Sequence, residues 1–147
     1  MIKIVGILLL MAVCSAYGFY RANMLFCRKN RLKALCLFIE AAENKIRLGS
    51  EMQQIVLTDG AAAGIYLENL NFLIKKENLT PSDIALAEDF LGSLGMGDMV
   101  GELKRCQTYK SFIEKEYINA EQEAKQKAAL YQKLGVFLGL LVGIVMI

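Results

Sequence analysis

Residues 91–106, LGSLGMGDMVGELKRC, place Gly92, Gly95, Gly97 and Gly101 just ahead of two cations, Lys104 and Arg105. Glycine-rich turns at helix starts can aim several backbone N–H groups at one point, and a phosphate is what such a cradle binds. The spacing here argues otherwise. A dinucleotide fingerprint follows a strand, whereas the segment before Gly95, IALAEDFLGSL, reads as a helix. Gly95, Gly97 and Gly101 miss the G-x-G-x-x-G spacing by one residue, and Lys104 precedes Arg105 rather than the serine or threonine of a P-loop. The plainer expectation is a joint between two helices. Gly95 or Gly97 stops the first, and Asp98 caps the second by accepting from its free amides. The alternative is a nucleotide-binding membrane enzyme using residues 92–101, with Lys104 and Arg105 supplying the positive charge.

Other chemistry lacks its residue types. Histidine is absent, which removes the imidazole base, the commonest metal ligand and the usual switch near neutral pH. The four cysteines, Cys14, Cys27, Cys36 and Cys106, form no CxxC pair and are expected to be reduced and packed. The residues therefore point to a protein that is not an enzyme, with no cofactor, no metal, no catalytic residue and no small-molecule substrate.

The net charge of +2 conceals a segregation. Residues 1–33 carry six bases and no acid, residues 34–124 carry 15 acids against eight bases, and residues 125–147 carry three lysines and no acid. An acidic middle does not suit nucleic acid, which needs a basic patch on the folded domain.

The basic residues flank two apolar ends. Between Lys3 and Arg21 lie 17 uncharged residues, IVGILLLMAVCSAYGFY, close to the lower limit for a membrane helix. Tyr17 and Tyr20 stand where aromatic rings favour the interface. A cleaved signal peptide, giving an exported helical protein, is the rival reading, but Cys14-Ser15-Ala16 is a weak cleavage site. After Lys133 come 14 uncharged residues, LGVFLGLLVGIVMI. With snorkelling at Gln132 and Lys133 the apolar stretch extends back to Ala128, enough to span. Gly135, Gly139 and Gly143 recur every four residues and line one helix face, which in lipid lets two backbones approach closely, so that a homo-oligomer is allowed. Five bases follow the first segment and three lysines precede the second, so the positive-inside rule faces the middle to the cytoplasm. The expected organisation is a transmembrane segment at 1–21, a cytoplasmic helical domain at 22–133 and a second transmembrane segment at 134–147.

The middle reads as all-α, a small bundle of about five to six helices. In residues 31–47, Leu32, Leu35, Cys36, Ile39 and Ile46 fall on one helical stripe, with Gly49 as the stop. Ser50 and Gln53 suggest a capping box for a short second helix ending near Gly60. Residues 61–76 read as a third helix, with Ile65, Leu67, Leu70, Leu73 and Ile74 apolar. Thr80-Pro81 suits an N-cap with proline in the first turn and Asp83 at the third position. From Asp98 onward no strong breaker interrupts a long last helix that is continuous into the membrane. Met99, Leu103, Cys106, Ile113, Tyr117, Ala120, Ala124 and Tyr131 form its seam. Glu121–Lys125 and Glu123–Lys127 are favourable i,i+4 pairs. The acidic pairs Glu114/Glu116 and Glu121/Glu123 are candidate contacts for a basic partner surface.

The chain resembles the stage III sporulation protein AB family of spore-forming Firmicutes. The likeness spans nearly the whole length: the short N-terminal membrane segment leading into a basic helix, the LxxL helix with KIRLGS near its end, the joint Leu94-Gly95-Met96-Gly97-Asp98, and EKEYINAEQEAKQK followed by GVFLGLLVGIVMI. The resemblance implies a mother-cell membrane protein of the channel complex that joins mother cell and forespore. It implies a soluble domain similar to the helical cytoplasmic domain of type II secretion F proteins. The implied partners are the complex's ATPase-like protein and its other membrane and ring-forming members, and no catalytic residue carries over.

Overall fold

A computed structural model describes residues 2–49, 52–68 and 71–145. Its elements run in the order α1 (Ile2–Arg47), α2 (Met52–Ala63), β1 (Ile65–Glu68), β2 (Asn71–Ile74), α3 (Pro81–Ser93) and α4 (Met99–Val145). Among the described residues the protein is all-α apart from one short hairpin.

Four helices stand among the described residues where the sequence pattern suggests five to six. One reason is that the apolar N-terminal segment and the basic helix behind it are a single 46-residue helix, α1. No proline interrupts it, so nothing in the chain forces a break between them. It closes at Leu48 and Gly49, whose amides donate back to Lys45 O at 3.1 Å and Ile46 O at 3.0 Å. Gly49 takes φ +74°, the left-handed turn that glycine makes without a Cβ penalty.

The other reason is a correction. Residues 61–76 do not form the expected third helix: 61–63 close α2, and 65–68 and 71–74 are strands. Helix α2 runs through Gly60 to Ala63, further than the expected stop, and ends on Gly64 at φ +68°. The chain then forms an antiparallel hairpin with Ile65 opposite Ile74, Tyr66 opposite Leu73 and Glu68 opposite Asn71. Lys75 N donates to Gly64 O at 2.8 Å and extends the ladder by one bond. The apolar residues in this stretch satisfy helical spacing and also alternate. Glycine at 64 and the β-branched and aromatic residues of the two strands, Ile65, Tyr66, Phe72 and Ile74, tip the choice to strand. Ile65 and Ile74 are each 3% exposed, whereas their neighbours Tyr66 and Leu73 face outward, the one-sided burial of a two-stranded ribbon. The expected capping box at Ser50 lies outside the described residues.

Helix α3 begins as the sequence suggests. Thr80 is its N-cap, Pro81 opens the first turn, and Asp83 N donates to Thr80 Oγ1 while Thr80 N donates to Asp83 Oδ2. Helix α4 then runs 47 residues. At about 1.5 Å per residue it is roughly 70 Å long.

The chain divides into two compact units, one of residues 1–27 and 120–147, the other of residues 28–119. The second unit has the core. Leu32, Leu35, Ile39, Ala42 and Ile46 of α1 form the buried stripe, with Phe38 beside them. They share the interior with Ile55, Ile65, Ile74, Phe90, Leu91, Cys106 and Ile113. Each large aliphatic side chain so buried contributes about 1.5–3 kcal/mol. Cys36, read onto the same stripe, is only partly covered.

The first unit is an antiparallel pair of helix segments with a small-residue seam. Ala22 of α1 and Ala120, Ala124 and Ala128 of α4 are buried, as are Gly135, Gly139 and Gly143. Large apolar side chains point outward instead: Phe137 is 66%, Leu141 60% and Ile144 71% exposed.

Candidate functional site

The close approach in the first unit is made by glycine. A Cβ placed on Gly135 would sit 2.9 Å from Cys14 O and 3.2 Å from Gly18 Cα. One on Gly18 would sit 2.6 Å from Tyr131 O, and one on Gly139 would meet Met11 Cα at 3.3 Å. Backbone thus touches backbone with no room for a side chain, the geometry that lets helices associate where water supplies no hydrophobic drive. The face bearing Gly135 and Gly139 is turned onto α1 of the same chain. Gly18 is the partner that the sequence pattern misses. Its signal is the four-residue spacing of small residues Cys14, Gly18 and Ala22, a stripe matching the one on α4.

The glycine joint is organised by carboxylates. Gly95 takes φ +83° after Leu94, the C-cap of α3. Asp98 Oδ1 accepts from Gly101 N at 3.1 Å, the N-cap bond of α4, and Asp98 O accepts from Glu102 N at 2.9 Å. Gly97 N donates to Glu102 Oε1 at 3.0 Å. Arg105 donates to the same oxygen at 2.8 Å and also to Ser93 O. The amides of Gly97 and Gly101 therefore point at the chain's own negative charge, and Arg105 is engaged within the joint. Glu102 Oε2 is buried without a hydrogen-bond partner among the described residues.

The second unit contains a clasp that the sequence does not announce. Arg28 Nε donates to Asp83 Oδ2 at 2.8 Å, and its Nη2 reaches Asp83 Oδ1 at 3.1 Å and Glu116 Oε2 at 3.4 Å. The Asp83 side chain is 0% exposed. Burial by itself would raise its pKa. The Arg28 bonds and the Thr80 amide and hydroxyl outweigh burial and hold the carboxyl below its ordinary range. One aspartate thus closes the capping box of α3 and ties that helix to α1, while Arg28 reaches α4.

Of the four acids read as partner contacts, Glu116 lies on this clasp. Glu121 pairs with Lys125 at 3.3 Å and Glu123 with Lys127 at 2.7 Å, both at i,i+4. Glu114 is exposed. Burial pushes the Cys36 and Cys106 thiols up to about 11, helped by Glu114 and Glu102 respectively. Both are protonated at neutral pH and poor nucleophiles.

Among the described residues one helix, α4, contains a stretch long and apolar enough to cross a membrane. Residues 58–147, more than half of the chain, match the family model of stage III sporulation protein AB. The chain belongs to the stage III sporulation protein AB family. It is thus a sporulation protein, and the matched region takes in the hairpin, α3, the glycine joint and all of α4. No curated protein and no solved structure matches the chain.

Proposed function

We propose that this family member is a non-enzymatic, membrane-anchored structural component of a secretion-like channel complex between mother cell and forespore, and that its helical unit docks a cytoplasmic ATPase-like partner. The observation that carries the anchoring is the first unit itself. Its two segments pack through glycine backbones and turn leucine, valine and phenylalanine outward, and residues 134–147 contain no charge at all. Such a surface is costly in water and ordinary in lipid. The bases after the first segment and before the second favour a cytoplasmic position for residues 28–119. The glycine joint supports a structural role over nucleotide binding, because its amides at Gly97 and Gly101 already face Glu102 and Asp98.

Two measurements test the reading. Full-length protein should stay in the pellet when membranes of sporulating cells are washed with carbonate, and residues 28–119 should be digested in inside-out but not in right-side-out vesicles. Release by carbonate would remove the anchor. A photo-crosslinker at Glu114 should capture the ATPase-like protein of the complex, and recovery of the protein uncrosslinked to it from an otherwise assembled complex would remove the docking role.

A further inference from the structure

Beside the Gly18–Gly135 contact, the first unit opens an apolar groove of about 470 Å³. Its floor is Cys14, Gly18 and Gly135, and its walls include Val13, Leu134 and Leu138. The missing side chains that let the backbones meet also leave this hollow. At one end stand Arg21 and Tyr131, with Tyr17 one turn further along α1. The Arg21 guanidinium carbon lies 5.9 Å from the centre of the Tyr131 ring, so a cation–π contact steers it over the groove mouth.

Among the described residues no carboxylate pairs with that arginine. Residues 1–27 carry none, and the two in residues 120–147, Glu121 and Glu123, pair with Lys125 and Lys127 on their own helix. Arg21 accordingly makes no ion pair among the described residues. From Arg21 to Val13 the groove follows about two turns of α1, roughly 12 Å at 1.5 Å per residue.

We propose that this groove seats one anionic phospholipid, with an acyl chain along Gly18, Gly135 and Leu138 and the headgroup phosphate on Arg21. The seat rests on the membrane reading above. An apolar trough ending in an unmatched cation, with two tyrosine rings at the rim, fits a molecule that is apolar along its length and negative at one end. Basic pockets between membrane helices recognise anionic headgroups in this way. A zwitterionic lipid such as phosphatidylcholine also offers a phosphate, but its own ammonium balances that charge, whereas phosphatidylglycerol brings a net negative charge to the guanidinium.

The test uses full-length protein in phosphatidylcholine vesicles carrying either spin-labelled phosphatidylglycerol or spin-labelled phosphatidylcholine. The motionally restricted fraction of each label reports lipid held by the protein. The native protein should prefer phosphatidylglycerol by about fivefold, the effect of one basic residue at an anionic surface. Arg21→Gln should bring the preference close to onefold. Leu138→Trp, which fills the trough and keeps the charge, should also abolish it. Lys133→Gln, which removes an equal charge outside this groove, should leave it intact. Equal losses in Arg21→Gln and Lys133→Gln, with Leu138→Trp unaffected, would mean diffuse surface attraction and overturn the seat. Equal restriction of both labels by the native protein would overturn it while leaving the anchor standing. Protein that stays in the supernatant and restricts neither label would overturn the membrane reading, and the seat with it.

Discussion

Gly18 and Gly135 face each other so closely that a Cβ on either would lie 3.3 or 3.2 Å from the other's Cα. Neither position tolerates a side chain unless the backbones separate. Gly135→Val should force them apart, because its Cβ would also meet Cys14 O at 2.9 Å, and that carbonyl cannot rotate away. Gly6, whose added Cβ meets nothing within 4 Å, is the control. In thermal unfolding of detergent-solubilised protein, Gly135→Val should cost about 1–3 kcal/mol and Gly6→Ala should cost nothing. Equal melting of the two variants would contradict the packing.

The Arg28–Asp83 clasp carries a pH signature. The folded state holds Asp83 below its ordinary pKa, so its contribution is complete above about 4, the unfolded carboxylate value. It is lost as pH falls through the lower folded value. Asp83→Asn removes the charge at every pH and leaves Arg28 largely buried beside a neutral amide. The variant should be less stable by about 3 kcal/mol at pH 7. Its deficit should shrink between pH 7 and pH 2, as pH falls towards and through that lowered folded value and the native carboxyl takes up its proton. Denaturant midpoints at both pH values measure the gap, and a gap of constant size would exclude the ionised clasp.

Two glycines, one in a turn and one in a helix, should respond in opposite directions. Gly64 sits at φ +68°, and a Cβ there would run into the Arg31 guanidinium, which donates to Lys75 O at 3.0 Å. Gly92 is helical, lies in α3, and has nothing within 4 Å of an added Cβ. Gly64→Ala should destabilise by about 1–2 kcal/mol, the cost of a left-handed backbone with a side chain. Gly92→Ala should stabilise by up to about 1 kcal/mol through lower unfolded-state entropy. Stabilisation by Gly64→Ala would show that the turn after α2 is not left-handed.

Those two glycines also show what the sequence makes legible. The start of α3 is readable because Thr80, Pro81 and Asp83 solve it among themselves within four residues. The Gly95–Asp98 joint is local in the same sense. The hairpin after Gly64 is not, because Leu67, Leu70, Leu73 and Ile74 follow the helical period while Ile65 with Leu67 and Phe72 with Ile74 follow the strand period, and each strand is only four residues long. Burial of Ile65 against a tertiary core decides between them. Arg28 is one of four bases in six residues, and no local pattern says which of them turns inward to an aspartate 55 positions away. Gly135 and Gly139 are readable as a packing face, but only the folded pair shows that the surface they meet contains Gly18.

The same geometry supplies a test of whether that face closes within one chain or between two. A Cβ on Gly139 would lie 3.7 Å from the Cβ of Cys14. Disulfides need about 3.5–4.5 Å between these atoms, so Gly139→Cys puts a second thiol at bonding distance from a native one. The other thiols compete weakly at pH 8, because Cys36 and Cys106 are held up to about 11, and Cys27→Ser removes the remaining one. Mild oxidation of Gly139→Cys in membranes should therefore give a fast-migrating monomer on non-reducing gels, reversed by a reductant and absent when Cys14 is changed to serine. The added Cβ also approaches Met11 Cα at 3.3 Å, so some loss of helix packing is expected, yet the crosslink requires only that the two segments meet. A disulfide-linked dimer in place of the monomer would mean that the glycine face pairs two copies, and the intramolecular contact would have to be abandoned.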